Sequence, residues 1–185
     1  TATMGGDTIM NQPVYRSLYE AYPFLADAPE DLRCDFEIMT DRMSSETGLL
    51  RAMISDEKLR AELLKIDELI YHANPTLRTR MTVTAEEVEW LKGCVERLKR
   101  EAAGRCEKFV LPQGSQAGCM AHLLRTDGKA LVRLLYRYGY TVNQEVPPLL
   151  LDFANLLSGY FFALSLRLNM LDGVDEVPFV SRNYR

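Results

Sequence analysis

Four groups of residues have types and spacings that chemistry could use. Near the N-terminus stand Thr3 and Gly5-Gly6-Asp7-Thr8. A glycine-rich turn can wrap successive backbone N–H groups around a phosphate. No Gly-Lys-Ser/Thr follows, so the segment is not a P-loop, and an ordinary turn is the plain alternative. The second group is Phe109-Val110-Leu111-Pro112-Gln113-Gly114-Ser115. Pro112 and Gly114 set a tight entry and Ser115 can cap a helix, which makes either a simple helix start or a ligand loop whose helix N-terminus faces an anion. The third is Arg125, Lys129 and Arg133, whose i, i+4, i+8 spacing places them along one side of a helix. Such a row lies on a solvated face or meets a polyphosphate or neighbouring carboxylates. Gly128, within that row, costs helix stability about 1 kcal/mol and calls for a close approach by another element or a ligand. The fourth is Asn155 with Ser158, Gly159 and Tyr160, polar positions in an otherwise apolar stretch. They need partners, either across helices or in a ligand.

No nucleophile and base pair up. His122 has no Ser or Cys in a recognisable elbow, so a reaction here would draw its reactive group from a cofactor. Cys34, Cys94, Cys106 and Cys119 have no C-x-x-C spacing, which speaks against a metal site. Reduced thiols in a cytoplasmic protein fit better. Acidic residues outnumber basic ones 26 to 22, so no nucleic-acid partner is expected. The most apolar stretch, 147–171, is interrupted by Asp152, Asn155 and Arg167, and no membrane span is expected. No basic segment followed by an apolar run opens the chain, so a secretory signal is not expected either.

Helices must position these groups, since five stretches repeat with the helical period and none alternates with period two. The first covers about 29–54, capped by Asp27, with Leu32, Phe36, Met39, Met43, Leu50 and Ile54 inward. The second covers about 56–73, capped by Ser55 and stopped by Asn74-Pro75. The third opens at Thr84, whose pairing with Glu87 makes a capping box, and Gly104 closes it. The fourth covers about 115–138 and the fifth about 148–171. Apolar on most of its circumference, the fifth is expected to be a central or interface helix. The expected fold is all-α, a five-helix antiparallel bundle in a single domain over 1–185, with residues 1–26 and 172–185 as extended or partly ordered tails.

In this order the segments resemble the cobalamin adenosyltransferases of the propanediol-utilization type. That family has a capped helix, an F-(I/V)-L-P-G-G-S-like loop, and a helix with A-x-H-x-x-R-T. Here these read Phe109 to Ser115, then Ala121, His122, Arg125 and Thr126. Its N-R-L-S-D-Y-L-F-like helix corresponds to Asn155 to Phe162, its V-D-E-L-N aspartate to Asp41, and its N-terminal phosphate loop to the worn segment around Thr3 to Thr8.

The resemblance implies transfer of the 5′-deoxyadenosyl group from ATP to cob(I)alamin, with release of triphosphate. Co(I) is then the nucleophile, and the protein supplies proximity and electrostatics. It implies a homotrimer with sites between subunits, and ATP, Mg²⁺ and cobalamin as the molecules bound. Phe109 would crowd the lower face of the corrin, with Ser115 and His122 also toward the corrinoid. Arg125 would pair with Asp41 across the subunit boundary. Thr3, Gly5, Gly6, Asp7, Thr8, Lys129, Arg133 and Asn155 would face ATP. Several positions depart from the family. Ala2 stands for the phosphate-loop lysine, Lys129 and Ala130 for two arginines, Val132 for a glutamate and Gly159 for an aspartate. These departures leave a second reading open, a corrinoid or ligand binder on the same scaffold without transfer.

Overall fold

The computed structural model describes residues 13–105, 108–142 and 145–184. Five helices follow one another: α1 (Arg33–Met53), α2 (Glu57–Ala73), α3 (Ala85–Glu101), α4 (Gln116–Val142) and α5 (Pro148–Leu171). α5 lies against α3 and α4, α4 also against α1, and α1 against α2. α5 is long and apolar enough to cross a membrane by length and composition. In the bundle its apolar positions are the core instead. Phe153, Leu157, Tyr160, Phe161 and Leu164 are buried together with Leu124 and Leu131 of α4 and Leu91 and Leu98 of α3. Each such side chain contributes about 1.5–3 kcal/mol through burial. The inward residues expected of the fourth helix, Met120, Leu124, Leu131, Leu134 and Tyr138, are all buried.

Local capping explains where the helices start. At α3, Thr84 accepts from the Glu87 N–H and Glu87 accepts from the Thr84 N–H, completing the expected capping box. α2 is capped by Asp56, which accepts from the Leu59 N–H at 2.9 Å, and not by Ser55. α1 begins later than expected. Asp27 does not cap it, because its carboxylate is taken by Arg78 at 2.5 Å. Arg78 also binds Glu37 and lies 3.5 Å over the Phe24 ring, while Tyr22 donates to Glu37. This clasp holds the segment before α1 onto the bundle.

The C-terminal segment is extended, as expected of that tail, and is tied to the loop before α4. The Leu111 N–H donates to the Val177 carbonyl and the Phe179 N–H to the Phe109 carbonyl, each at 2.8 Å. Val110 and Pro178 thus form an isolated antiparallel bridge. So short a ribbon shows no period-two signal in the sequence.

Candidate functional site

The site is built where the loop before α4 meets the faces of α4 and α5. Ser115 starts α4: its hydroxyl accepts from the Gly118 N–H at 3.0 Å and its carbonyl from the Cys119 N–H at 2.8 Å. Further along, a Cβ at Gly128 would sit 3.1 Å from the Ser158 backbone. Glycine there lets α4 and α5 close up, which answers the sequence question the residue raised. Ser158 then donates to the Arg125 carbonyl at 3.0 Å.

Beside this contact lies a cavity of about 640 Å³. The loop contributes Lys108, Phe109, Val110 and Pro112, α4 contributes His122, Arg125 and Lys129, and α5 contributes Ser158, Gly159 and Phe162. The fold therefore brings together Phe109, His122, Arg125 and Lys129 among the expected site residues. Phe109 is 84% exposed at the mouth. Its ring is thus free to meet whatever enters the cavity.

His122 is buried, and its Nδ1 accepts from the Arg125 Nε–H at 3.3 Å. Burial, together with the Arg125 charge, pushes its pKa down to about 4. The imidazole is therefore neutral at pH 7 with its proton on Nε2, and Nε2 has no partner in the chain among the described residues. The wall thus offers one N–H donor, a guanidinium, two amines (Lys108 and Lys129) and an apolar remainder. Such a set suits a large, flat or anionic ligand and supplies no nucleophile with a base beside it.

Other expected residues fall elsewhere. Ser115 is occupied as the cap and by Asn169, and does not line the cavity. Arg133 is exposed one turn beyond Lys129, outside the lining. Asn155 is exposed, donates to the Leu151 carbonyl of its own helix at 2.8 Å, and is also outside the lining. The polar cluster on α5 thus divides, with Ser158 on α4, Tyr160 on Glu62 of α2, and Asn155 outward. Asp41 is exposed on α1 and makes no ion pair among the described residues. Ala2, Thr3, Gly5, Gly6, Asp7 and Thr8 lie outside the described residues. Sequence reasoning missed Lys108 and Phe162. Phe162 stands one turn after Ser158, a spacing that marks a shared face.

On the face of α4 turned to α1, Glu46, Asp127 and Arg42 form a separate cluster. Arg42 Nε lies 2.7 Å from Glu46 and 3.5 Å from Asp127. Burial and the neighbouring Asp127 carboxylate push the Glu46 carboxyl up to about 7 from its ordinary 4.5. A raised carboxyl pKa favours the folded state at low pH, and that contribution is lost as pH rises from 4.5 through 7. His122 works in the opposite direction: its lowered pKa costs stability as pH falls from 6.5 toward 4. Glu46→Gln is therefore expected to exceed the parent in Tm at pH 8 by about 2–4 °C, for an effect on the order of 1 kcal/mol. The gap should close below pH 5. A calorimetric pH series that shows the same gap at pH 4 and pH 8 would contradict this.

Residues 30–168 match the model of the cobalamin adenosyltransferase family. A corrinoid adenosyltransferase of Bacillus subtilis (strain 168) is 28% identical over 159 residues, 81% of each chain. A phenylalanine-to-alanine variant of a PduO-type ATP:corrinoid adenosyltransferase from Lactobacillus reuteri, complexed with cobalamin and ATP, superposes with a TM-score of 0.71 at 21% identity, covering 82% of this chain and 87% of that one. An arginine-to-lysine variant of the Lactobacillus reuteri enzyme, complexed with ATP, gives 0.71 at 24% identity, over 81% and 88%. With the five-helix order, the loop before α4 and three quarters of the chain inside the family match, the chain belongs to the cobalamin adenosyltransferase family.

Proposed function

We propose that this chain transfers the 5′-deoxyadenosyl group of ATP to the cobalt of cob(I)alamin and releases triphosphate. The carrying observation is the cavity in which an exposed Phe109 stands over Arg125, Lys129 and the neutral His122 with no protein nucleophile. In the reaction the electron pair of Co(I) forms the Co–C5′ bond, and the C5′–O bond breaks with its pair going to triphosphate. No proton changes hands, so no base is required. Phe109 supplies an apolar cover to one corrin face and keeps a lower ligand off the cobalt. His122 offers its Nε2–H to a ligand carbonyl. Arg125 and Lys129 stand ready for the charge that builds on the leaving phosphates.

The lysine at 129 accords with this role. In the Lactobacillus reuteri neighbours the replaced phenylalanine and arginine stand twenty residues apart, the separation of Phe109 and Lys129 here. Their arginine-to-lysine variant was complexed with ATP. Lysine keeps the charge and gives up the bidentate fork. Two of the other departures, Val132 and Gly159, carry nothing toward a binder without transfer. Val132 packs partly buried against the core, and at Gly159 a Cβ would meet nothing within 4 Å.

Among the described residues no group of three acidic, His or Cys side chains could hold a metal. Mg²⁺ in this reading arrives on the phosphates of ATP, which is how that ion commonly meets nucleotides. The working unit in this reading is a homotrimer, with Arg125 of one copy meeting Asp41 of the next. The free, buried thiols of Cys34 and Cys94 suit a reducing cytoplasm. Mixing the purified protein with ATP, Mg²⁺ and chemically reduced cobalamin should yield adenosylcobalamin, followed by its absorbance. Cobalamin binding without product would overturn the reading.

A further inference from the structure

Asn169 is an asparagine with no solvent exposure in the last turn of α5, outside the cavity lining. A buried carboxamide must find partners for all its polar atoms. Here those partners come from three different places. Its Oδ1 accepts from the Ser115 N–H at 3.0 Å and the Ser115 hydroxyl at 3.4 Å, at the start of α4. Its Nδ2 donates to the Gln113 carbonyl at 3.2 Å, within the loop. The same Nδ2 donates to Glu176 at 3.1 and 3.3 Å, in the C-terminal segment. Its own carbonyl accepts from the Val174 N–H at 2.8 Å.

The surroundings are shaped to this one side chain. A Cβ at Gly114 or at Gly118 would overlap the Asn169 amide, and Gly114 adopts a φ of 148°. Glycine at both places is what lets the loop and the first turn of α4 close around the carboxamide. Glu176 is further held by Arg105, which also donates to the Val174 carbonyl at 2.7 Å. From that anchor the C-terminal segment runs back and makes its two backbone bonds to Phe109 and Leu111. Phe109 is thus held on both sides, by the loop that Asn169 pins and by a segment that Asn169 also pins. Its ring makes almost no contact of its own, being 84% exposed. Its position in space is set by backbone alone.

We propose that Asn169 is the positioning residue for Phe109, joining the loop, the start of α4 and the C-terminal segment so that the ring is held at the corrinoid face of the cavity. This rests on the reading of Phe109 given above. The linkage itself is testable without any activity.

Asn169→Ala should speed hydrogen exchange of the Leu111 and Phe179 amides at least tenfold, with the amides of α2 and α3 unchanged. In adenosyl transfer the same variant should raise KM for cob(I)alamin about tenfold or more and lower kcat, with KM for ATP held within twofold. Glu176→Ala, which removes the C-terminal partner together with its Arg105 pair and leaves helix packing alone, should act in the same direction and serves if Asn169→Ala does not fold. Asn169→Asp sets two carboxylates together, and adding Glu176→Gln should restore protection. Unchanged exchange at Leu111 and Phe179 overturns the linkage. Exchange that rises while both KM values shift equally overturns its link to the corrinoid. If the unsubstituted protein forms no adenosylcobalamin, the proposed function fails, and the exchange result alone decides whether Asn169 holds the loop.

Discussion

Arg125→Ala is expected to slow adenosylcobalamin formation by about 10²–10³-fold, the usual loss when one preorganised charge at a transition state is removed. Arg125 lines the cavity from the middle of α4, where its Nε–H also satisfies His122 Nδ1. Truncation removes the cation and leaves a buried imidazole with neither nitrogen paired in the chain. The cost to folding is about 1–3 kcal/mol, set by that unsatisfied group. Because Arg125 is one of the two causes that lower the His122 pKa, the remaining histidine should also titrate higher. In the proposed trimer the same change strands Asp41 at a boundary and weakens association. Steady-state rates and sedimentation velocity check the two parts separately. A variant with unaltered turnover would remove Arg125 from the reaction, and an unaltered sedimentation profile would remove its pairing with Asp41. Arg125→Lys should recover part of the rate, since it keeps the charge and loses the planar fork.

The largest expected loss of stability is at Glu62. Its carboxylate, on α2, accepts from Arg97 of α3 at 2.6 and 2.8 Å and from the Tyr160 hydroxyl of α5 at 2.7 Å. Burial alone would raise its pKa, but the bonds from Arg97 and Tyr160 outweigh burial and hold it below the ordinary glutamate value. Glu62→Ala leaves the fully buried Tyr160 hydroxyl with no acceptor, and the half-exposed Arg97 turns back to water. A cost of about 2–4 kcal/mol follows, mostly from the stranded hydroxyl. That corresponds to a Tm lower by about 2–4 °C for each kcal/mol. Tyr160→Phe removes the donor and keeps the Arg97 pair, so about 1 kcal/mol is expected there. The lowered pKa means that Glu62 contributes above pH 4.5 and loses that contribution as pH falls through its folded value. Thermal unfolding should therefore separate parent and Glu62→Ala more at pH 7 than at pH 3, the stranded hydroxyl costing the same at both and the ion pair making the difference. Equal separation at both would show that packing, not the ion pair, is what the variant lost.

How far the sequence reached differs from residue to residue. The five helices were legible because a repeating apolar stripe and a capping residue are local signals. Thr84 with Glu87 is the clearest case, both halves of the box lying within four residues. Asp27 shows the limit. Its type and place fit a cap, but Arg78, fifty-one residues away, competes for its carboxylate and wins. The asparagines of α5 show it again. Asn155 and Asn169 lie on one helix, apolar nearly all round, so periodicity could not say which side of the helix mattered. Asn155 faces outward, whereas Asn169 is enclosed by the loop and the C-terminal segment.

By itself, then, the sequence determined the helix content and its order, and the loop and α4 residues that resemble one family of adenosyl-transferring proteins. Those are properties of residue type and short spacing. The tertiary structure alone decided that Phe109, His122, Arg125 and Lys129 share one cavity with α5, that Arg133 and Asn155 do not, and that the C-terminal segment braces the loop bearing Phe109. The reason is physical. A helix face acquires meaning only from what packs on it, and a two-bond ribbon forms because α5 delivers its end beside the loop, sixty residues distant in the chain.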